Sequence, residues 1–314
     1  MANTLLTPSI IAKYTLANLY ENLCMVPLVY TDLSQEWMGA KIGTTVTVRK
    51  PATFVSNTFD PSNPSITVQN ATETGVNVVM DTHKDVSFAI TSQDLTLRVE
   101  DFDAQFLQGA AERLAQTVDQ SIIATMKAGF TAVAGDEYFP GTTTGAHDNW
   151  QHPEALIEAD RLLNIANVPP GDRSAVIGPT TRAKWLNTDW LKFAEHSGST
   201  DALRDASLGK NLLGFSAYMT QNIGQPAGSP TSGQPTTEVG LAFHKTSTAF
   251  VSAPLAPPSD NTWSAVESYK GLSLRLVKQY DMQLKSDVIS LDILYGVKVL
   301  DANRGVLLRG DLAT

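Results

Sequence analysis

The sequence predicts an α+β protein in which one long helix is flanked by sets of strands drawn from both ends of the chain. Three observations carry this expectation. Residues 100–129, EDFDAQFLQGAAERLAQTVDQSIIATMKAG, hold the longest uninterrupted helical pattern. Residues 45–90 alternate apolar and polar side chains with a period of two. Residues 151–270 mix helical and strand-like runs, and the chain then returns to strands.

The helical stretch contains no proline, and Phe102, Phe106, Ala110, Leu114, Val118, Ile122 and Met126 recur every four residues. Leu107, Ala111 and Ala115 form a second row beside them. Four residues overshoot one helical turn by about 40°, so the apolar stripe winds around the rod and needs more than one covering neighbour. At ~1.5 Å per residue the rod is roughly 45 Å long, about twice an average helix. Alone, the pattern reads as a long core helix. Glu100, Asp101 and Asp103 place negative charge at its positive end. An acid/base pair or a metal site is the other reading of these carboxylates, but no histidine or further ligand accompanies them.

Before the rod, Thr7-Pro8-Ser9 marks a helix start followed by Ile10, Ile11, Tyr14, Leu16, Leu19 and Tyr20. An irregular stretch, VPLVYTDLSQEWMGAKIGTT, then reads as an extended arm. Strands are predicted at 45–50, 65–69, 75–80 and 85–90. Between the first two lies PATFVSNTFDPSNPS, with three prolines and two exposed-looking phenylalanines, Phe54 and Phe59. A breaker-rich tip on a strand pair predicts a projecting hairpin, which is marginal unless its face is covered by its own chain or a neighbouring subunit.

After the rod, residues 135–150 read as a polar linker; GTTTGAH lacks the Gly-Lys-Ser/Thr ending of a phosphate loop. A helix is predicted at 152–163, a turn at 167–173, a buried strand at 174–179 and a helix through 181–191 carrying Trp185 and Trp190. Glycines precede a strand within 212–219, and 224–237, GQPAGSPTSGQPTT, reads as a mobile surface loop. Strands follow at 237–243, 248–252, 272–281 and 286–300. The apolar run near Val297 and Leu300 needs a partner surface, for which the long helix is the obvious candidate.

Composition narrows the function. The 314 residues include 23 basic and 32 acidic side chains, a formal charge of −9, and the largest basic cluster is Arg49-Lys50. Tight nucleic-acid binding through phosphates is therefore disfavoured. No long uncharged apolar run is present, so no membrane span is expected, nor does the start read as a signal peptide. Cys24 is the single cysteine, which rules out an intramolecular disulfide and reads as a packing residue. Five histidines, at 83, 147, 152, 196 and 244, show no metal-ligand spacing, and neither a GxSxG elbow nor a Rossmann glycine run appears. No catalytic, cofactor or metal residue is assigned. Asn303-Arg304 reads as a turn after the last long strand, with a functional polar pair as the other reading.

The order of parts, arm, strand-rich loop, long helix, α/β lobe and returning strands, resembles the major capsid proteins of tailed phages with the Hong Kong 97-type fold. The segments FAITSQDLTLRVEDF at 88–102, RLLNIANVPPGDRSAVIGP at 161–179, LGKNLLGFSAYMTQNI at 208–223 and YGVKVLDANRGVLL at 295–308 are similar to that family, particularly to the coat proteins of short-tailed Salmonella phages. The resemblance implies an N-terminal arm at 1–44, an extended β-hairpin loop at 45–87, a peripheral domain at 88–150 with a spine helix at 99–130, an axial domain at 151–275, and C-terminal strands of the peripheral domain at 276–314. It implies a shell of hexamers and pentamers around double-stranded DNA in a virion assembled in the host cytoplasm. A separate scaffolding protein, a portal and decoration proteins are the implied partners, with DNA packaged without sequence-specific binding. The acidic balance suits a container that does not hold phosphates. Arg49, Lys50, Phe54 and Phe59 are the candidate subunit-interface residues. An encapsulin-like compartment is the near alternative; a soluble α/β hydrolase or binding protein, resting on scattered Ser, Asp and His, is the distant one.

Overall fold

The computed structural model describes residues 12–17, 19, 23–31, 45–50, 54, 56–58, 61–62, 66, 68, 74–91, 107–135, 149–192, 211–224, 228–258, 263–283 and 285–314. Three strands come first: β1 (Thr45–Lys50), β2 (Thr74–Val79) and β3 (Thr82–Thr91). The long helix α1 (Gln108–Gly129) is followed by β4 (Ala132–Ala134), α2 (Ala155–Ile165), β5 (Arg173–Ile177), α3 (Pro179–Leu186) and α4 (Asp189–Lys192). The remainder is β6 (Ser216–Met219), β7 (Gly240–His244), β8 (Thr248–Ala253), β9 (Trp263–Tyr269), β10 (Leu272–Asp281), β11 (Ser286–Val299) and β12 (Gly305–Leu308).

The strands form a two-stranded ribbon and two five-stranded sheets. In one sheet the order is β3-β11-β10-β9, and β8 also pairs with β11. Its length of 14 residues lets β11 pair with β3 along one edge and pass from β10 to β8 along the other. The second sheet has the order β4-β12-β7-β5-β6 and mixes parallel with antiparallel pairs. Its central strands β5 and β7 are buried throughout, as continuous apolar runs require.

Each apolar position of the predicted rows on α1 that lies in the described residues is buried: Leu107, Ala110, Ala111, Leu114, Ala115, Val118, Ile122 and Met126. They join Leu272, Leu274, Leu276, Ile289, Leu291 and Ile293 in the main core. At its C-terminal half α1 meets β11, where the hydroxyls of Ser121 and Tyr295 are 2.7 Å apart. A Cβ on Gly129 would lie 2.6 Å from Val299 Cγ2, so the helix end approaches the strand as closely as its residues permit. Val297 packs on this core, as expected, but Leu300 packs instead with the ribbon root. Arg113, Gln116, Gln120, Ala124 and Ala128 form an exposed strip, so one sector of the rod stays uncovered. The predicted helix start, with Glu100, Asp101, Phe102, Asp103 and Phe106, lies outside the described residues.

The second lobe is organised by a buried cation. Arg173 donates to the carbonyls of Pro169 (2.9 Å) and Val168 (2.5 Å), to Asn164 Oδ1 (2.8 Å) and to the Asp160 carboxylate. It thereby ties the end of α2 to the start of β5 and closes the turn in which Asn167 and Asp172 adopt positive φ. Trp185 is fully buried and donates its indole N–H to Trp150 O at 2.8 Å. The predicted helix over 181–191 is two helices, because the Thr188 hydroxyl takes Trp185 O at 2.6 Å and the chain turns at Asn187.

Other expectations are corrected. Ile66 and Val68 belong to no strand and are 78% and 81% exposed; the partner of β1 is β2, not 65–69. β-propensity alone does not hold an edge that no second layer covers. Residues 228–237 are held rather than free: Gly233 N donates to Ala313 O, Ala313 N to Gln234 O and Thr236 N to Asp311 O. The sequence reading had no strand at β4, β9 or β12.

Candidate subunit-interface site

Among the described residues, the ribbon and the positions beyond it carry apolar side chains that are half-buried or exposed. Register pairs Val46 with Val78 and Val48 with Val76 on one face, and Thr47 with Asn77 on the other. The Thr47 hydroxyl donates to Asn77 Oδ1 at 2.8 Å, marking that second face as polar. The valine face is covered most completely at its root, where Val78 is fully buried with Met80, Ala249, Val251 and Ala253 and where Val46 and Val48 pack on that cluster. Val46, Val48 and Val76 are half-buried, and beyond the strands Phe54 is 66% exposed. With Ile66 and Val68, Phe54 gives the distal region bulky apolar side chains that its own chain does not cover.

The root is fixed by a close backbone crossing. A Cβ on Gly296 of β11 would lie 2.1 Å from Val79 O, 2.8 Å from Val79 C and 3.1 Å from Met80 Cα. Only glycine admits the ribbon base at this approach. Tyr30 joins the same root cluster, and its backbone pairs with β8 through Tyr30 N to Thr248 O and Phe250 N to Tyr30 O.

Of the four residues expected at the interface, Phe54 is placed and exposed. The backbones of Arg49 and Lys50 end β1, opposite Gly75 and Thr74. Phe59 lies outside the described residues. Ile66 and Val68 were read as strand positions, although hydrophobic residues among prolines and serines were the available signal for exposed anchors.

A second site was missed altogether. The row Leu107, Ala111, Ala115 continues to Asp119 and Ile123, so one acid interrupts an otherwise apolar line. Asp119 is fully buried. Its Oδ2 accepts Cys24 N at 3.0 Å and Asn222 Nδ2 at 3.4 Å, and its Oδ1 accepts Met25 N at 3.1 Å. Two distant segments, 24–25 and 222, thus meet on one carboxylate of α1. Burial pushes that carboxyl up to about 6, against the opposing pull of the two amides and Asn222. Burial and the neighbouring Asp119 push the Cys24 thiol up to about 11, so an inert packing role fits it.

The remaining polar groups build structure. Glu238 accepts from Thr180 N, Thr181 N and Thr181 Oγ1, capping α3 from another segment. Lys127 donates to Ile223 O at 2.7 Å; burial lowers its pKa and Glu238 partly offsets that. His244 pairs its Nδ1 with Thr246, whose hydroxyl also accepts from Arg304. Burial, then Arg304, lower the His244 pKa. Asp301 accepts Asn303 N, so Asn303-Arg304 forms a turn. No group of three or more potential metal ligands occurs among the described residues.

Comparison with known proteins gives this geometry its context. No curated protein matches the chain. Among solved structures, a chain from Mycobacterium phage Che8 is 21% identical with a TM-score of 0.68, covering 91% of this chain and 90% of that one. The mature capsid of bacteriophage PhiM1 is 12% identical with a TM-score of 0.58, covering 87% and 83%. The capsid of cyanophage P-SCSP1u is 15% identical with a TM-score of 0.56, covering 87% and 85%. These likenesses show a shared fold, the Hong Kong 97-type capsid fold. The family described as P22 coat protein, gene protein 5, matches residues 21–237, more than half of the chain. The chain belongs to that coat protein family and is a phage major capsid protein, a structural, non-enzymatic component of the virion that works as an oligomeric shell.

Proposed function

We propose that the chain assembles as hexamers and pentamers into an icosahedral shell around a double-stranded DNA genome, and that the ribbon is the arm by which one subunit grips the next. One observation carries this reading: an amphipathic ribbon whose valine face is only partly covered and whose outlying Phe54, Ile66 and Val68 are exposed. Such a surface is unstable in water and finds cover on a second copy. Arg49, Lys50, Phe54 and Phe59 are the proposed contacts. The net charge of −9 supports a lining that encloses DNA without sequence-specific contacts.

Assembly in the host cytoplasm, with a separate scaffolding protein, a portal and decoration proteins, belongs to the same proposal. The family matched is a phage coat protein, so an encapsulin-like compartment is not favoured. We keep 1–44 as the arm and 45–87 as the extended loop, and draw the two lobes by sheet rather than by chain order. The peripheral lobe then holds β3, α1 and β8 to β11; the axial lobe holds β4, α2, α3, β5 to β7 and β12. Expression with and without candidate scaffolding protein, followed by sedimentation and electron microscopy, tests the function. Shells support it; compact monomers alone at high concentration, in both conditions, would overturn it.

A further inference from the structure

We propose that the cavity beside the C-terminal end of α1 binds a small phosphate, either inorganic or carried by a small organic molecule, with Lys127 as its cation. The cavity measures about 330 Å³, and its lining includes Lys127, Ile223, Ser229, Thr231, Gln234 and Glu238. That size is at the small end of the ~300–1,000 Å³ typical of small-molecule sites.

Lys127 reaches the cavity with donor capacity to spare. Its ammonium carries three N–H groups. Among the described residues it has one acceptor, Ile223 O at 2.7 Å, and no ion pair. Burial lowers its pKa, which Glu238 partly offsets. A desolvated ammonium with unused donors favours an anion beside it. Glu238 is the only carboxylate lining the cavity, and its oxygens accept from Thr180 N at 3.2 Å, Thr181 N at 2.8 Å and Thr181 Oγ1 at 3.0 Å. The positive end of α3 thus offsets part of its charge and leaves that of Lys127 uncancelled by contact.

The loop supplies the remaining donors. The hydroxyls of Ser229 and Thr231 and the side-chain amide of Gln234 make no hydrogen bond among the described residues. Their backbone is already fixed from the C-terminal residues: Gly233 N donates to Ala313 O at 2.7 Å, Ala313 N to Gln234 O at 2.8 Å and Thr236 N to Asp311 O at 3.1 Å. Little backbone ordering is left to oppose binding. The ammonium excludes a metal cation as occupant. A phosphate suits donors drawn from two elements, because its oxygens point in four directions where those of a carboxylate lie in one plane. Nucleic acid is the poorer source of that phosphate: the chain carries a charge of −9, and Lys127 is the only basic side chain lining the cavity.

Isothermal titration of dispersed full-length subunits with sodium phosphate, against chloride of matched ionic strength, tests the site. Saturable phosphate binding is expected, weakened about tenfold in Lys127→Met and several-fold in the double variant Thr231→Val, Gln234→Leu. The double variant decides if Lys127→Met fails to fold, because the two loop side chains it alters hold nothing in the chain. No saturable binding to the native protein, or native affinity in either folded variant, overturns the proposal. Displacement of bound phosphate by glycerol 3-phosphate supports it; displacement by a DNA oligonucleotide at equal phosphate concentration assigns the site to nucleic acid and overturns it. Dispersed subunits suffice, so failure of the shell reading leaves this test intact.

Discussion

Replacing Gly296 with alanine tests whether the direction of the ribbon, rather than its composition, controls assembly. The added Cβ would meet Val79 O at 2.1 Å and Val79 C at 2.8 Å, both backbone atoms that no rotamer change can move. Restoring ordinary contact requires the ribbon base to shift by about 1 Å. If the base pivots about the neighbouring strand, roughly 5 Å away, that shift is a rotation of about 12°. Over six residues of β1, about 20 Å long, the distal end then moves about 4 Å. A displacement of that size removes an apolar anchor from its pocket, whereas the overpacking costs the subunit only about 1–3 kcal/mol. The expected outcome is a folded Gly296→Ala subunit with a Tm a few degrees lower and a large loss of shell yield by sedimentation. Gly75→Ala is the comparison: its Cβ would meet only Thr47 Cγ2, at 2.7 Å, a side-chain atom that can turn away. Normal shells from folded Gly296→Ala, or equal loss from Gly75→Ala, would refute the lever.

Phe54→Asp should leave Tm unchanged, because the ring is 66% exposed, while lowering shell yield; unchanged yield would remove Phe54 from the interface. Arg173→Met should destabilise by about 3 kcal/mol in denaturant titration, since it strips donors from two carbonyls, Asn164 and Asp160 at a buried position. A loss under about 1 kcal/mol would show that water replaces the guanidinium there. Tyr295→Phe should cost about 1 kcal/mol by removing the 2.7 Å contact with Ser121, with shell assembly preserved.

The rod was the most legible element because its pattern is local: four-residue rows of apolar side chains state which face is buried before any partner is known. All eight described positions of those rows are buried. The strands were readable where both faces are covered, as in β5 and β7, or where a clean alternation runs for several residues, as in β1, β2 and β3; β4, β9 and β12 were missed. β12 is four residues long, and β9 is an edge strand in which only Ala265 is buried while the adjacent Ser268 and Tyr269 are both exposed. Ile66 and Val68 misled in the opposite direction, since β-branched residues promise a strand only when a second layer exists to receive them. Asp119 was visible as an interruption in a row. Its partners were not, because they lie 94 to 103 residues away and two of them are backbone amides.

The chain divides its stabilisation between folding and assembly. α1 buries its rows against β10 and β11 within one subunit, and Arg173 and Glu238 fasten the second lobe without any partner. The ribbon differs: Val46 and Val48 pack only partly buried on the root cluster around Val78, and Phe54, Ile66 and Val68 beyond it stay exposed. Under the proposed role of the ribbon, burying these side chains on a second copy is what would make assembly favourable. Segment 23–31 belongs to the folding side of this division: Leu23, Met25, Val26 and Val29 are buried in the main core, Asp119 accepts the Cys24 and Met25 amides, and Tyr30 pairs with β8 beside the ribbon root.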